Sequence, residues 1–217
     1  MLWKKLLGAG GLVGGGGGGG ITLSGYANEV SNSSPLDISG ITINSGDIII
    51  YWQAKDTASS PGPPSVAGYT EIWSHIGGTG GSSPNIAEYR AADGTETSVP
   101  YTDYSTDSGV IAAVFTGATF TRSTDIQNGN SSTATPTAVT VTAGDVCVVV
   151  CFIDDDIATL TAPTGYTLVH TFTVGSSGSG GSFGMAYKAI TSTGTETPGA
   201  FGGTYNDRWV AGSIVIS

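Results

Sequence analysis

Three observations predict an all-β protein. Apolar, β-branched runs stand directly after Gly-Asp pairs at Gly46-Asp47 and Gly144-Asp145. Ser, Thr, Gly and Pro punctuate the chain about every ten residues, the spacing of a sandwich or jelly roll. Beyond the N-terminal segment no window repeats apolar residues at helical spacing. The chain has 217 residues, 39 % hydrophobic and 11 % charged, which is enough to bury a core in one or two domains and unlike a charged disordered tail.

The N-terminal segment differs from the rest. Residues 1–20 open with Leu2, Trp3, Lys4, Lys5, Leu6 and Leu7 and close on seven glycines, Gly14–Gly20. Leu2, Trp3, Leu6 and Leu7 share spacings of three and four, so one helical turn would be amphipathic, with both lysines turned away. A helix that short does not hold in water alone, so a partner surface must order it. Lysines before apolar residues also suggest a secretory signal, but the apolar region would be mostly glycine. A membrane-surface anchor is a third reading, weakened by the small patch and by having two lysines. The favoured reading is a docking peptide on a glycine tether. As an extended rod of about 3.1 Å per residue, seven glycines hold the body roughly 22 Å from the docking point.

The body from Ile21 onward is a tandem repeat, the strongest signal in the sequence. Ile43–Trp52 aligns with Val141–Val150, 98 positions on. Gly68-Tyr69-Thr70 aligns with Gly165-Tyr166-Thr167, each shortly after a proline (Pro64, Pro163), and Tyr89-Arg90-Ala91 with Tyr187-Lys188-Ala189. Gly94–Thr97 recurs as Gly194–Thr197, and Val110–Thr116 as Val210–Ile216, both 100 positions on. Ordered matches with a drifting offset indicate duplication with small loop insertions. The expected layout is a leader and tether at 1–20, a first β unit at 21–117 and a second at 118–217. These would be two tandem, sequence-related β-sandwich or jelly-roll-like units, either separate or as halves of one larger sandwich.

Each unit justifies its strands in order. In the Gly-Asp turns glycine tolerates positive φ and aspartate bonds backbone amides, feeding the runs Ile48–Trp52 and Val146–Ile153. Those runs are apolar throughout, as in strands covered on both faces. Gly68–Ile76 and Gly165–Val174 alternate more, as do Ile86–Ala92 and Phe183–Ile190. Residues 118–136 supply a linker and the first strand of the second unit. Cys147 and Cys151 fall on one face of one strand, about 13 Å apart. That is too far to bridge, and two buried thiols suit assembly in a reducing cytoplasm.

Net charge is −10, and the leader holds Lys4 and Lys5 with no acid, so the negative excess belongs to the body. Such a body has no general attraction to phosphate backbones, which argues against nucleic acid as partner. No apolar run is long enough for a membrane-spanning helix.

Motifs for chemistry return little. His75 and His170 follow the two Gly-Tyr-Thr segments without Cys or carboxylate at ligand spacing, and read as strand-surface residues. Asp154-Asp155-Asp156 has no spaced acceptor pattern after it and reads as a solvated loop rather than a calcium site. Glu96 and Glu196 recur by duplication, which favours a shared turn role over an acid–base pair. Gly180–Gly184 fits G-x-S-x-G around Ser182 but has strand-like sequence after it where a nucleophile elbow needs a helix. Asn32 and Asn130 head glycosylation sequons that matter only in a secretory pathway. No catalytic residue, metal or cofactor is expected. Among aromatics, Trp52, Trp73 and Trp209, with Tyr101, Tyr104 and Tyr205, offer a platform for sugars or protein partners, although Trp52 and Trp209 read rather as core or half-buried strand residues. Tyr101, Tyr104 and Tyr205 lie in Asp/Thr/Gly-rich loops and are expected to be exposed, lining a contact surface.

Taken together, the short apolar leader, the polyglycine and the duplicated unit resemble accessory structural proteins of tailed bacteriophages. The unit in question runs Gly-Asp-strand, Pro-x-Gly-Tyr-Thr, Ala-Tyr-Lys-Ala, and a last strand containing Trp-Val-Ala. The first unit departs from this pattern, with Glu88-Tyr89-Arg90-Ala91 and no tryptophan in its last strand. The resemblance spans the chain, and its motifs also occur in bacterial surface proteins. It implies a non-enzymatic virion component, fibre-like, tail-associated or capsid-decorating, assembled in the host cytoplasm. Its partners would be other virion proteins, further copies of itself and a host-surface glycan or protein. The alternative is a secreted or cell-surface carbohydrate-binding module, with a hydrolase hidden in a β-sandwich ranked last.

Overall fold

The computed structural model describes residues 8–9, 20–30, 35–56, 64–75, 83–101, 108–124, 126–155, 160–175 and 180–217. They form strands and no helix. The first half holds β1 (Gly8–Ala9), β2 (Thr22–Val30), β3 (Leu36–Asp37), β4 (Ile48–Lys55), β5 (Thr70–His75), β6 (Asn85–Ala91), β7 (Ser98–Val99) and β8 (Ser108–Thr116). The second holds β9 (Phe120–Ser123), β10 (Gln127–Ser131), β11 (Val139–Val141), β12 (Val146–Ile153), β13 (Thr167–Val174), β14 (Gly181–Ala189), β15 (Gly194–Glu196) and β16 (Asp207–Ile216).

Each half builds one large antiparallel sheet and one two-stranded sheet in the same order. The first large sheet runs β1-β2-β8-β4-β6-β5, beside the pair β3-β7. The second runs β10-β16-β12-β14-β13, with β9 also paired to β16, beside the pair β11-β15. Thus β4, β5, β6 and β8 correspond to β12, β13, β14 and β16. The predicted central strands are central: β4 lies between β8 and β6, and β12 between β16 and β14. Their neighbours on both sides, and cover on both faces, explain why they are apolar without alternation.

The two large sheets face each other across one shared core. Ile48, Ile50, Trp52 and Ala54 of β4 point into it from one side, and Val146, Val148, Val150 and Phe152 of β12 from the other. The opposite faces carry separate outer cores. Ile49 and Tyr51 join Leu36, Ile38 and Val99 beneath the β3-β7 pair, and Cys147, Val149 and Cys151 join Val139, Val141 and Phe201 beneath β11-β15. Sequence left open whether the units were separate or joined; here four layers are stacked, and the middle interface is common to both halves.

Glycine permits the closest approaches at that interface. A Cβ on Gly212 of β16 would stand 2.8 Å from the Trp73 ring, and one on Gly109 of β8 would stand 2.7 Å from Val174 and 2.9 Å from Phe172. Trp73 also meets Trp52 edge-on at 5.9 Å.

The duplication is visible in individual hydrogen bonds. Asn44 N–H donates to the Asp47 carboxylate at 2.8 Å, and Thr142 N–H to that of Asp145 at 2.7 Å. Gly46 (φ 92) and Gly144 (φ 101) take the left-handed conformation that glycine tolerates. Their N–H groups reach Ala92 and Ile190 carbonyls at 2.8 and 2.9 Å. The bulges match as well: the ladder slips between Glu71 and Trp73 in β5 and between Leu168 and His170 in β13. The leading strands differ. β2 runs nine residues, and its counterpart is split into β9 and β10.

Candidate functional site

The feature that sets the first half apart is the outer edge of β2. There β1 pairs antiparallel, Gly8 opposite Tyr26 and Ala9 opposite Gly25. Beyond a bulge between Leu23 and Gly25, β2 follows β8 in unbroken register from Gly25 opposite Val114 to Val30 opposite Gly109. Ala27 is buried on the side of the first outer core, while Tyr26 and Val30 lean on the shared core. The corresponding stretch of the second half is where the strand is broken: Ser123 pairs with Ile214 and Gln127 with Ala211, and the Thr124 N–H bonds the Ser213 carbonyl at 3.1 Å between them. Sequence offered no sign that Gly8-Ala9 would form a strand. The docking residues Leu2, Trp3, Leu6 and Leu7 lie outside the described residues.

Beside this edge the halves are joined by a ladder of rings. Tyr26 stacks on His170 at 4.9 Å, with Tyr26 Oη 3.4 Å from Nδ1. His170 lies over Phe172 at 6.0 Å, and Phe172 stacks on Phe183 at 4.6 Å. Burial pushes the His170 pKa below its ordinary value, because the protonated ring would lose hydration with little in return. His75 and His170 do not occupy equivalent places: the matching bulges align Trp73, not His75, with His170. Among the described residues no His, Cys, Asp and Glu cluster could hold a metal ion.

The loop tyrosines require a correction. Tyr101 and Tyr205 are each only 5 % exposed. Tyr104 lies outside the described residues. Tyr101 plugs the first outer core, as Phe201, 100 positions on, plugs the second. These polar segments have few apolar side chains, so their rings are what closes the space beneath the two-stranded sheets. Burying the Tyr205 hydroxyl costs little, because it accepts the Ala134 N–H at 2.7 Å and donates to the Phe201 carbonyl at 2.9 Å.

The remaining candidates are tied into the fold. Glu96 accepts the Asp93 and Gly94 N–H groups at 2.8 and 3.0 Å and pairs with Arg90 at 3.0 Å. Glu196 pairs with Lys188 at 2.8 Å and accepts the Tyr166 hydroxyl at 3.0 Å. In this setting burial drives the Tyr166 phenol far above its usual value and lifts Tyr69 to about 12. Asp154 forms an ion pair with Arg208. Ser182, 1 % exposed and within β14, donates to the Asp155 carbonyl at 2.7 Å. Its strand lacks the turn-to-helix geometry of a nucleophile elbow. Burial raises the Cys147 thiol to about 11 and Cys151 well above the usual value, which suppresses the reactive thiolate; both cysteines are free. Trp52, Trp73 and Trp209 are buried, and the Trp209 indole donates to Ser131 Oγ at 3.0 Å.

One buried group was missed in the sequence. Glu88 is fully buried in β6, accepts the Tyr51 hydroxyl in a short hydrogen bond and accepts the Val66 N–H at 3.0 Å. A lone acid inside the apolar run Ile86–Tyr89 was the available signal.

No protein-family model matches this chain, and no curated protein or solved structure is significantly similar to it.

Proposed function

We propose that this chain is a non-enzymatic structural component of the virion of a tailed bacteriophage, held to the particle by its N-terminal leader with the β body facing outward toward the host surface. The observation that carries this reading is the division between a short apolar, basic leader on seven glycines and a body in which Asp47, Glu88, Asp145, Asp154, both thiols and Trp52, Trp73 and Trp209 are buried in its own fold. Each half is then a sandwich-like unit, a large sheet with its two-stranded flap, and the two units meet through their large sheets. Such a body suits an appendage that must be rigid and inert, and multiple weak outward contacts gain strength when many copies share one particle. Among the described residues Trp52, Trp73, Trp209, Tyr101 and Tyr205 are buried, which counts against the carbohydrate-binding alternative.

Peptide mass spectrometry on particles sedimented from the producing culture tests this reading. The expected result is the chain in fixed ratio to capsid and tail proteins, with peptides from the leader present. Recovery only from the soluble fraction, cut within the glycines or near Ala27, would replace it with a secreted module.

A further inference from the structure

We propose that the shared core binds structural water on the first large sheet, at a site framed by Trp52 of β4, Trp73 of β5 and Asn85 of β6. Among the described residues, Trp52 Nε1, Trp73 Nε1 and Asn85 Oδ1 are buried atoms that meet no hydrogen-bond partner. Their side chains lie deep: Trp52 and Asn85 are 0 % exposed and Trp73 8 %. The Asn85 amide is oriented by its other end, because Nδ2 donates to the Ser83 carbonyl at 2.9 Å, which leaves Oδ1 to accept. Protein interiors rarely strand polar atoms in this way, since each forfeits its hydration on burial.

The three fall together. Trp52 and Trp73 stand directly opposite Ala87 from its two sides. Asn85, two positions along β6, shares their face in the neighbouring row. The indoles meet edge-on with centroids 5.9 Å apart, and Trp73 presses so closely on Gly212 that a Cβ there would stand 2.8 Å from its ring. Packing therefore holds both indoles where they are, and they do not turn to find protein acceptors. Two neutral donors and one neutral acceptor suit a molecule that accepts and donates at once. They offer no charge to hold an ion, and the close packing favours the smallest such molecule. Water makes about three hydrogen bonds in a protein interior, so one molecule or a linked pair can accept the indole protons and donate to Asn85.

The second half supplies the contrast. Val150, Met185 and Phe183 take the places of Trp52, Ala87 and Asn85, and Phe183 meets Phe152 at 4.9 Å. His170, in the place of Trp73, has the Tyr26 hydroxyl 3.4 Å from Nδ1. One sheet thus carries two donors and an acceptor that do not bond one another, and the equivalent face of its duplicate is apolar or paired. A common partner accounts for all three.

This inference concerns the interior of the body and stands apart from the virion reading. A high-resolution crystal structure of the full chain is expected to show one or two compact peaks about 2.7–3.2 Å from the indole nitrogens and Oδ1. In solution, water magnetic relaxation dispersion counts long-lived internal waters. Asn85→Leu, which removes the acceptor at similar volume, should lower its amplitude by the share of at least one molecule. Phe183→Leu at the equivalent place should leave it unchanged, because an apolar cavity stays dry. If Asn85→Leu does not fold, the density of the unaltered chain decides alone. No peak at these atoms, a peak too large for water, or an amplitude that Asn85→Leu leaves unchanged overturns the proposal.

Discussion

Tyr51, Val66 and Glu88 in the first half correspond to Val149, Pro163 and Ala186 in the second, and the three replacements are mutually consistent. Where the first half buries a carboxylate, it supplies a hydroxyl and an N–H to receive it. Where the second half has alanine, the hydroxyl is gone and the N–H is absent because the residue is proline. Both positions still close the same turn, with Tyr69 N–H bonding the Val66 carbonyl at 3.1 Å and Tyr166 N–H the Pro163 carbonyl at 3.0 Å. Duplicated halves can therefore exchange a polar interior for an apolar one, provided donor and acceptor leave together. The backbone turn does not change with them.

Moving the acid between halves should break this correspondence with the largest effect. Ala186→Glu would place a carboxylate in a fully buried site with neither donor present, and is expected to cost more than about 4 kcal/mol or prevent folding. The reverse change, Glu88→Ala, leaves the Tyr51 hydroxyl and Val66 N–H without this acceptor, and should cost about 2–3 kcal/mol. Denaturant midpoints of the two variants check the order; equal costs would contradict the pairing.

The shared core supplies the next test. Trp52 and Val150 are equivalent residues facing into one interface from opposite sheets. Trp52→Ala should cost about 3–5 kcal/mol and Val150→Ala about 1.5–3. Each should lower the stability of both halves, in one transition. Hydrogen exchange read separately on β4 and β12 decides it. Loss of protection confined to the mutated half would mean that the halves fold independently.

The strands of the large sheets were legible because their signals are local: glycine with positive φ, the aspartate behind each turn, and apolar runs repeated about a hundred residues apart. β12 matches its expected bounds, and β4 extends three residues beyond Trp52. The face-to-face packing was not legible, since a strand apolar on both sides does not say which sheet covers which face. Nor were the two-stranded sheets, too short to show a period. Tyr101 and Tyr205 were misread for a related reason. Loop composition reports how the backbone turns, and whether a ring swings inward depends on the space left beneath another element. For the candidate site, the leader was conspicuous in the sequence, but the edge that receives Gly8 and Ala9 is defined only by sheet order.

Smaller effects should be symmetrical. Asp47→Ala and Asp145→Ala each remove the acceptor for a turn N–H at nearly the same geometry. Each should cost about 1–2 kcal/mol, and the two should agree within about half of that. Thermal midpoints that differ widely would show that the turns, alike in the N–H that each aspartate accepts, sit in unequal surroundings.

The smallest effect falls on the histidine of the seam. His170 holds the place that Trp73 holds in the other half, and its pKa is depressed by burial from an ordinary 6.5. The unfolded chain therefore binds a proton more readily than the folded one as pH drops through 6.5. Stability contributed by the neutral ring is present above that value and is lost as pH falls toward the lower folded pKa. Below the folded pKa the loss is complete and constant. His170→Phe keeps an aromatic ring against Tyr26 and Phe172 and removes the proton-binding group, so its stability should vary less between pH 7.5 and 5. Unfolding midpoints of both proteins across that interval measure the difference. Parallel curves would mean that the ring titrates alike in both states, leaving the seam between the halves indifferent to acid.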